Sequence, residues 1–393
     1  MFSPRIQGRR LGRSSPILVL LSGAILGGCS VLRLSEPVNQ RTGDWTTFAQ
    51  SSEHVATVQT PLTPPLKLIW DEDIQAGMGY GCPLVVGGIV FVGTQRGELV
   101  ALNENTGKRL GATTLGDAIE GSPVIDGNTA IVALSNTRES LVAFNLLDAK
   151  PEWKHAYGDI ESSPVLYDKK LYIGNVDGEF YCVARYTGVQ LWKFSLPSNT
   201  AFKGIRSSPA VAESTVVFGA DDGSVYALHA GNGSLLWRTA TGSPVMASPS
   251  IRGKDIYVGN LAGTLYCISL ASGAVRWQTV TGGGIYATAT PVDSLIVVGT
   301  TGGEMFGVRV GDGTLAWKTS VGGPVNTLAV EVSGTLFVGT LKHKLIALKV
   351  RDGTEIWNTE VSGRVKTSPS VVNNHLFLVT DEKDLLCFGS ASQ

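Results

Sequence analysis

A tryptophan recurs at nearly fixed intervals along this chain. Trp153, Trp192, Trp237, Trp277, Trp317 and Trp357 are separated by 39, 45, 40, 40 and 40 residues. Extended backward by the same step, the register reaches Gly111 and then Trp70. A period of this length means that one supersecondary unit is copied many times and that neighbouring copies supply each other's core. It overrides the expectation of two or three domains that 393 residues would otherwise raise.

Each copy carries four short apolar runs. In the copy that ends at Trp277 these are Met246–Ile251, Asp255–Gly259, Thr264–Ile268 and Ala274–Trp277. Runs of four to six residues rich in Val, Ile and Tyr, bounded by Gly and Ser, read as strands. Asp177-Gly178 and Asp222-Gly223 supply hairpin turns of positive φ. The 48 glycines, about 12% of the chain against a usual value near 7%, are largely this turn chemistry. Four strands per unit, repeated radially, predict a propeller. A solenoid would need polar caps at both ends, whereas here the ends complement each other. The last copy runs through Leu376–Val379 and Leu385–Phe388 and lacks a fourth strand, while Leu66–Trp70 is a fourth strand with no preceding three. The expected fold is therefore an all-β, eight-bladed β-propeller of four-stranded antiparallel blades over residues 66–390, its last blade closed by the N-terminal strand. The tryptophans, Trp70 included, read as residues packed between blades.

The segment before the repeats has a different character. Arg5, Arg9, Arg10 and Arg13 precede a short apolar run, Ile17–Leu26, which ends in Gly27-Gly28-Cys29. The run is too short to span a bilayer. Positive charge, apolar run and a Leu-small-small-Cys end, in that order, resemble a bacterial lipoprotein signal over residues 1–29, cleaved before an acylated Cys29. Ser30, where some such proteins carry Asp, implies the outer membrane. Residues 30–65, rich in Ser, Thr, Gln and Pro, read as a tether, with Asp44–Phe48 as a stretch that could dock on the domain.

The net charge of -1 offers no basic face for nucleic acid. Cys182, Cys267 and Cys387 stand where other copies have Ala or Gly, and Cys82 stands where others have Ser, so all four read as packing residues. The five histidines lack metal-ligand spacing. Gly77–Gly81 precedes a strand rather than a helix and is no phosphate loop. With no metal and no cofactor expected, function falls to the loops. The longest link from a tryptophan to the next inner strand is Trp192 to Ser208, 16 residues against 10 to 12 elsewhere. It contains Leu196–Arg206, with Phe202, Lys203, Ile205 and Arg206, and aromatic and Arg side chains are enriched at protein interfaces.

A small residue ten positions before each tryptophan, as in Ala227/Trp237 and Cys267/Trp277, with a glycine usually between, resembles the repeat of PQQ-like β-propellers. Quinone-dependent dehydrogenases share that fold, but their adjacent cysteines have no counterpart here. The Leu196–Trp237 stretch resembles the outer-membrane β-barrel assembly lipoprotein family (BamB). That resemblance implies a non-enzymatic, lipid-anchored, monomeric scaffold on the periplasmic side of the outer membrane. Ile205 and Arg206, with Phe202 and Lys203 beside them, would then meet the periplasmic domains of a barrel-assembly protein. The family's acidic pair in the next inter-blade loop is missing from Gly242–Ala247. A quinoprotein, or a sensor lipoprotein that binds a small ligand or a glycan, is the alternative.

Overall fold

The structure is a computed structural model that describes residues 31–197 and 202–391. Eight four-stranded antiparallel sheets stand around a common axis, and no helix occurs among the described residues. Blade 1 comprises Leu84–Val86, Ile89–Gly93, Glu98–Asn103 and Arg109–Thr114. Blades 2 to 7 repeat that order, from Val124–Asp126 to Glu355–Glu360. Blade 8 pairs Asp384–Ser390 with Leu66–Asp73, so the ring closes through the N-terminal strand. The short first strands of neighbouring blades approach one another and surround the axis.

The tryptophans lie where blades meet. Trp237 sits in a fourth strand whose other side chains are mostly exposed. Its Cα partner on the third strand is Ala227, and Cys182 and Gly307 take that place opposite Trp192 and Trp317. A Cβ at Gly307 would come within 2.2 Å of the Trp317 ring, which explains the small residue ten positions upstream. Each indole reaches into the next blade. Trp237 Nε1–H donates to Leu270 O at 2.9 Å, and the ring lies over Gly273, where a Cβ would meet it at 2.6 Å. Trp70, Trp153, Trp192, Trp277 and Trp317 repeat both contacts, on Glu104, Arg185, Ala230, Val310 and Val350. The turn glycines beneath the rings have positive φ, so they combine a left-handed turn with room for the indole. Trp357 faces the split blade and packs, partly buried, on the hydrophobic core.

Residues 31–65, expected as a tether, are instead built into the domain. Leu32, Trp45 and Leu62 are essentially inaccessible to solvent. The chain crosses the face that carries the turns between first and second strands, bonding to one blade after another. Trp45 exchanges backbone hydrogen bonds with Val85 of blade 1, and Thr46 O accepts from Ile125 of blade 2. Ser52 O and Glu53 O accept from Val211 and Ile251 of blades 4 and 5. Thr57–Val58 runs parallel to the first strand of blade 7. These partners are first-strand N–H and C=O groups left over at the hub, and burying them unpaired would be costly. Composition suggested a free chain, but backbone pairing does not depend on composition, and the few apolar side chains fall where the hub needs filling.

His54 is fully buried in this crossing segment, edge-on to Phe48 at 5.1 Å between ring centroids, with Nδ1 2.8 Å from Pro249 O. Burial pushes its pKa from 6.5 down to about 4, against a smaller opposing effect of the Pro249 carbonyl.

Two tests follow from this packing. Trp237→Ala should lower stability by about 3–5 kcal/mol, and Trp357→Ala, which lacks a turn glycine to lie on, by less; thermal denaturation of both variants checks the order. His54 stays neutral when folded, but the unfolded chain binds a proton below about pH 6.5. Stability should therefore fall as pH drops from 6.5 toward 4, by at most roughly 3 kcal/mol. In His54→Gln that part of the fall should vanish from a series of melting curves against pH.

Candidate functional site

The blades enclose an axial cavity of about 310 Å³. Phe48 lines it from the crossing segment. The repeat places one residue two positions before each first strand, namely Cys82, Ser122, Ser163, Ser208, Ser248, Thr288, Leu328 and Ser368, and the last six of these line the cavity. All are buried. They form a belt in which one blade's N–H donates to the next blade's hydroxyl. Cys82 N–H reaches Ser122 Oγ at 2.7 Å, Ser122 N–H reaches Ser163 Oγ, Ser163 N–H reaches Ser208 Oγ, and Ser208 N–H reaches Ser248 Oγ. Leu328 offers no hydroxyl, yet its N–H donates to Ser368 Oγ, and Ser368 N–H reaches Gly81 O of the next seam. The repeated serine is thus an inter-blade acceptor, and the proline after it needs no N–H partner.

Two residues before each belt position stands one side chain per blade: Tyr80, Glu120, Glu161, Arg206, Met246, Tyr286, Asn326 and Lys366. None of these is buried, and six of the eight line the cavity. This ring is legible in the repeat once the serine is taken as a ruler, and the tryptophan register alone does not single it out. Its charges are arranged in pairs. Arg206 Nε–H donates to Glu161 Oε2 at 2.9 Å, and Arg206 also pairs with Asp221. Burial raises the Asp221 carboxyl above its ordinary pKa, while Arg206 pulls it down. Glu120 accepts from Gln95 Nε2 at 3.0 Å. The Tyr80 hydroxyl is pushed up in pKa, first by burial and then by the nearby Glu120. Asn326 Oδ1 is buried without a partner among the described residues.

The long link between blades 3 and 4 opens on this same face. Leu196 is buried, and residues 198–201 lie outside the described residues. Phe202 is 68% exposed and borders a surface hollow with Asp221, Asp222, Gly223, Gly242, Ser243 and Pro244. Lys203 is exposed beside it. Ile205, expected to be a docking residue, is fully buried: a Cβ on Gly174 would lie 2.3 Å from its side chain. Ile119, Val245, Ile285, Val325 and Val365 meet Gly93, Gly219, Gly259, Gly299 and Gly339 in the same way. Ile205 is thus one copy of a core position that these six links share. Arg206, expected to be free for a partner, is held by two carboxylates at the channel mouth. Cys29 lies outside the described residues.

Cys82, Cys182, Cys267 and Cys387 are free and buried, and burial raises all four thiols. No group of three or more His, Cys, Asp or Glu side chains is placed to hold a metal among the described residues.

A family model described as outer membrane protein assembly factor BamB matches residues 69–194, 176–331 and 318–391. The chain is 29% identical over 152 residues to the outer membrane protein assembly factor BamB of Burkholderia pseudomallei, a match over 37% of this chain and 39% of that relative. Among solved structures, BamB from Moraxella catarrhalis superposes with a TM-score of 0.70 at 17% identity, over 82% of this chain and 99% of that one. The quinohemoprotein alcohol dehydrogenase from Comamonas testosteroni superposes with a TM-score of 0.74 at 13% identity, over 90% of this chain and 82% of that one. At these identities the structural likeness speaks for the fold alone.

Proposed function

The chain belongs to the outer membrane protein assembly factor BamB family, and on that premise we propose that it is a non-enzymatic scaffold, lipid-anchored through Cys29, that binds a partner in outer-membrane β-barrel assembly. The observation that carries the reading is Phe202. A large aromatic side chain stands 68% exposed on the longest inter-blade link, beside the hollow walled by Gly242–Pro244. An aromatic anchor beside a shallow hollow is the arrangement from which interface hot spots are built. Lys203 adds a cation at its edge. The partner is a periplasmic domain of a barrel-assembly protein.

The buried residues beneath have a supporting role. Leu196 fixes one end of the link, and Ile205 with the Glu161–Arg206–Asp221 group fixes the other. Arg206 contributes to binding by holding the link in place, with its remaining exposed surface at the rim of the contact. A partner docked on Phe202 would also cover part of the channel mouth, so the ring of eight side chains lies within reach of the same interface.

Phe202→Asp should reduce co-purification of the barrel-assembly partner by about tenfold or more, as expected for loss of a hot spot worth at least 1.4 kcal/mol. Its melting temperature should stay at the parent value. Leu235→Asp, on the exposed outer strand of blade 4, serves as the control and should leave capture unchanged. Ile205→Ala should lower the melting temperature instead. Full capture by a folded Phe202→Asp variant sinks the assignment of this link.

A further inference from the structure

Two of the eight seams depart from the pattern: that between blades 7 and 8, where Trp357 meets the split blade, and that between blades 1 and 2, where the difference involves three places in the sequence. On the blade 1 side, Gly111 stands where other blades carry the indole. On the blade 2 side, the turn glycine beneath the ring is replaced by Ala149, which keeps the positive φ at 55°. A Cβ there is tolerated because no indole lies over it. The third place is the N-terminal segment. Leu32, fully buried, lies so close to Gly111 that a Cβ on the glycine would come within 2.7 Å of Leu32 Cα. Leu32 N–H donates to Ala112 O at 2.9 Å.

The decisive contact is the next one. In the six regular seams the indole donates to the carbonyl of the first residue after the third strand: Glu104, Arg185, Ala230, Leu270, Val310 or Val350. In blade 2 that residue is Leu146, and its carbonyl accepts from Leu34 N–H at 2.8 Å. Backbone from residues 32–34 thus supplies both the bulk and the hydrogen bond that tryptophan supplies elsewhere. Arg33 Nε–H adds a bond to Leu147 O at 3.0 Å.

Cys29 precedes Val31 by two residues, so its Cα lies within about 7 Å of that of Val31, whatever its conformation. We propose that the seam between blades 1 and 2 is the membrane-facing edge of the propeller: the N-terminal segment occupies the vacant indole site and holds the acylated Cys29 there, so that this rim rests on the bilayer. The inference relies on the lipid anchor proposed above. Its occupant is a lipid leaflet, because only two residues of chain separate the seated Val31 from the acyl group on Cys29. Val31, 63% exposed, is the described side chain nearest to it in sequence. A thirty-residue flexible tether would let the domain wander by tens of ångströms, about 5–6 Å times the square root of its length. A clamp at residue 32 removes that freedom and gives the ring one orientation.

Fluorophores placed at Asp148→Cys, in the blade 2 turn of the seam, and at Ser272→Cys, in the blade 5 turn across the ring, test this in vesicles containing headgroup spin-labelled lipid. Both positions are exposed and the four native buried thiols are protected. Quenching at 148 should exceed that at 272 by about twofold or more, and inserting a fifteen-residue Gly/Ser segment between Ser30 and Val31 should bring the two together, because such a linker behaves as a flexible coil. Gly111→Trp puts an indole where Leu32 lies and should speed trypsin cleavage at Arg33. Equal quenching at the two positions in the parent protein, with the acyl mass on Cys29 confirmed, overturns the orientation and leaves the anchor standing. Absence of that mass overturns the anchor and the orientation with it. Unchanged cleavage at Arg33 in a folded Gly111→Trp variant overturns the clamp.

Discussion

One contact holds the ring together: an indole on the outer strand of one blade, lying flat on a turn glycine of the next and donating to a carbonyl beside it. The contact joins a large apolar area to a directional bond, so it fixes both the distance and the angle between neighbours. It also sets the spelling of the repeat. The strand opposite the indole must carry Ala, Cys or Gly, and the turn beneath must carry a residue that accepts positive φ and leaves room, which only glycine does. Three sequence positions, separated by four and six residues, are therefore consequences of one physical requirement. At the hub a second set of contacts works in parallel, with serine hydroxyls accepting main-chain N–H groups from the blade before.

Because the indole contact leaves a periodic trace, the fold was readable from the sequence. Blade number, strand order and the closure of blade 8 by Leu66–Asp73 all follow from the positions of tryptophan and glycine. The crossing segment was not readable. It repeats nothing, and its docking rests on main-chain bonds to Val85, Ile125, Val211, Ile251 and Glu331, which any residue type can make. Only Trp45 and Phe48, two aromatics in a polar stretch, signalled that part of it is buried.

The candidate site was legible in part. Loop length singled out the link from Leu196 to Arg206, and within it the exposed Phe202 and Lys203. Reading the link alone misplaced Ile205. Aligned by the serine that follows three residues later, it matches Ile119, Val245, Ile285, Val325 and Val365, all of which fill the same gap above a glycine. Arg206 belongs by that alignment to the ring at the channel mouth, where Glu161 and Asp221 answer its charge. A residue in a repeat protein is better judged against its seven counterparts than against its immediate neighbours.

The route of the crossing segment has a bearing on how the molecule is made. Thr57 pairs with Glu331, Thr60 bonds to Asn374, and Thr63 N–H donates to Ser390 Oγ, so the last part of the crossing segment finds its partners only after seven blades exist. Contacts this distant in sequence are slow to form, because a long loop must be closed before they are rewarded. Seven blades and the seam at Gly111 can assemble from early partners during synthesis, but the part of the hub floor beside blades 7 and 8, and the eighth blade itself, must wait. The stretch from Thr57 to Asp73 emerges before any blade yet is the last to be seated, and until it is, the hub stays open and the outer edge of the unfinished eighth blade remains available to other chains.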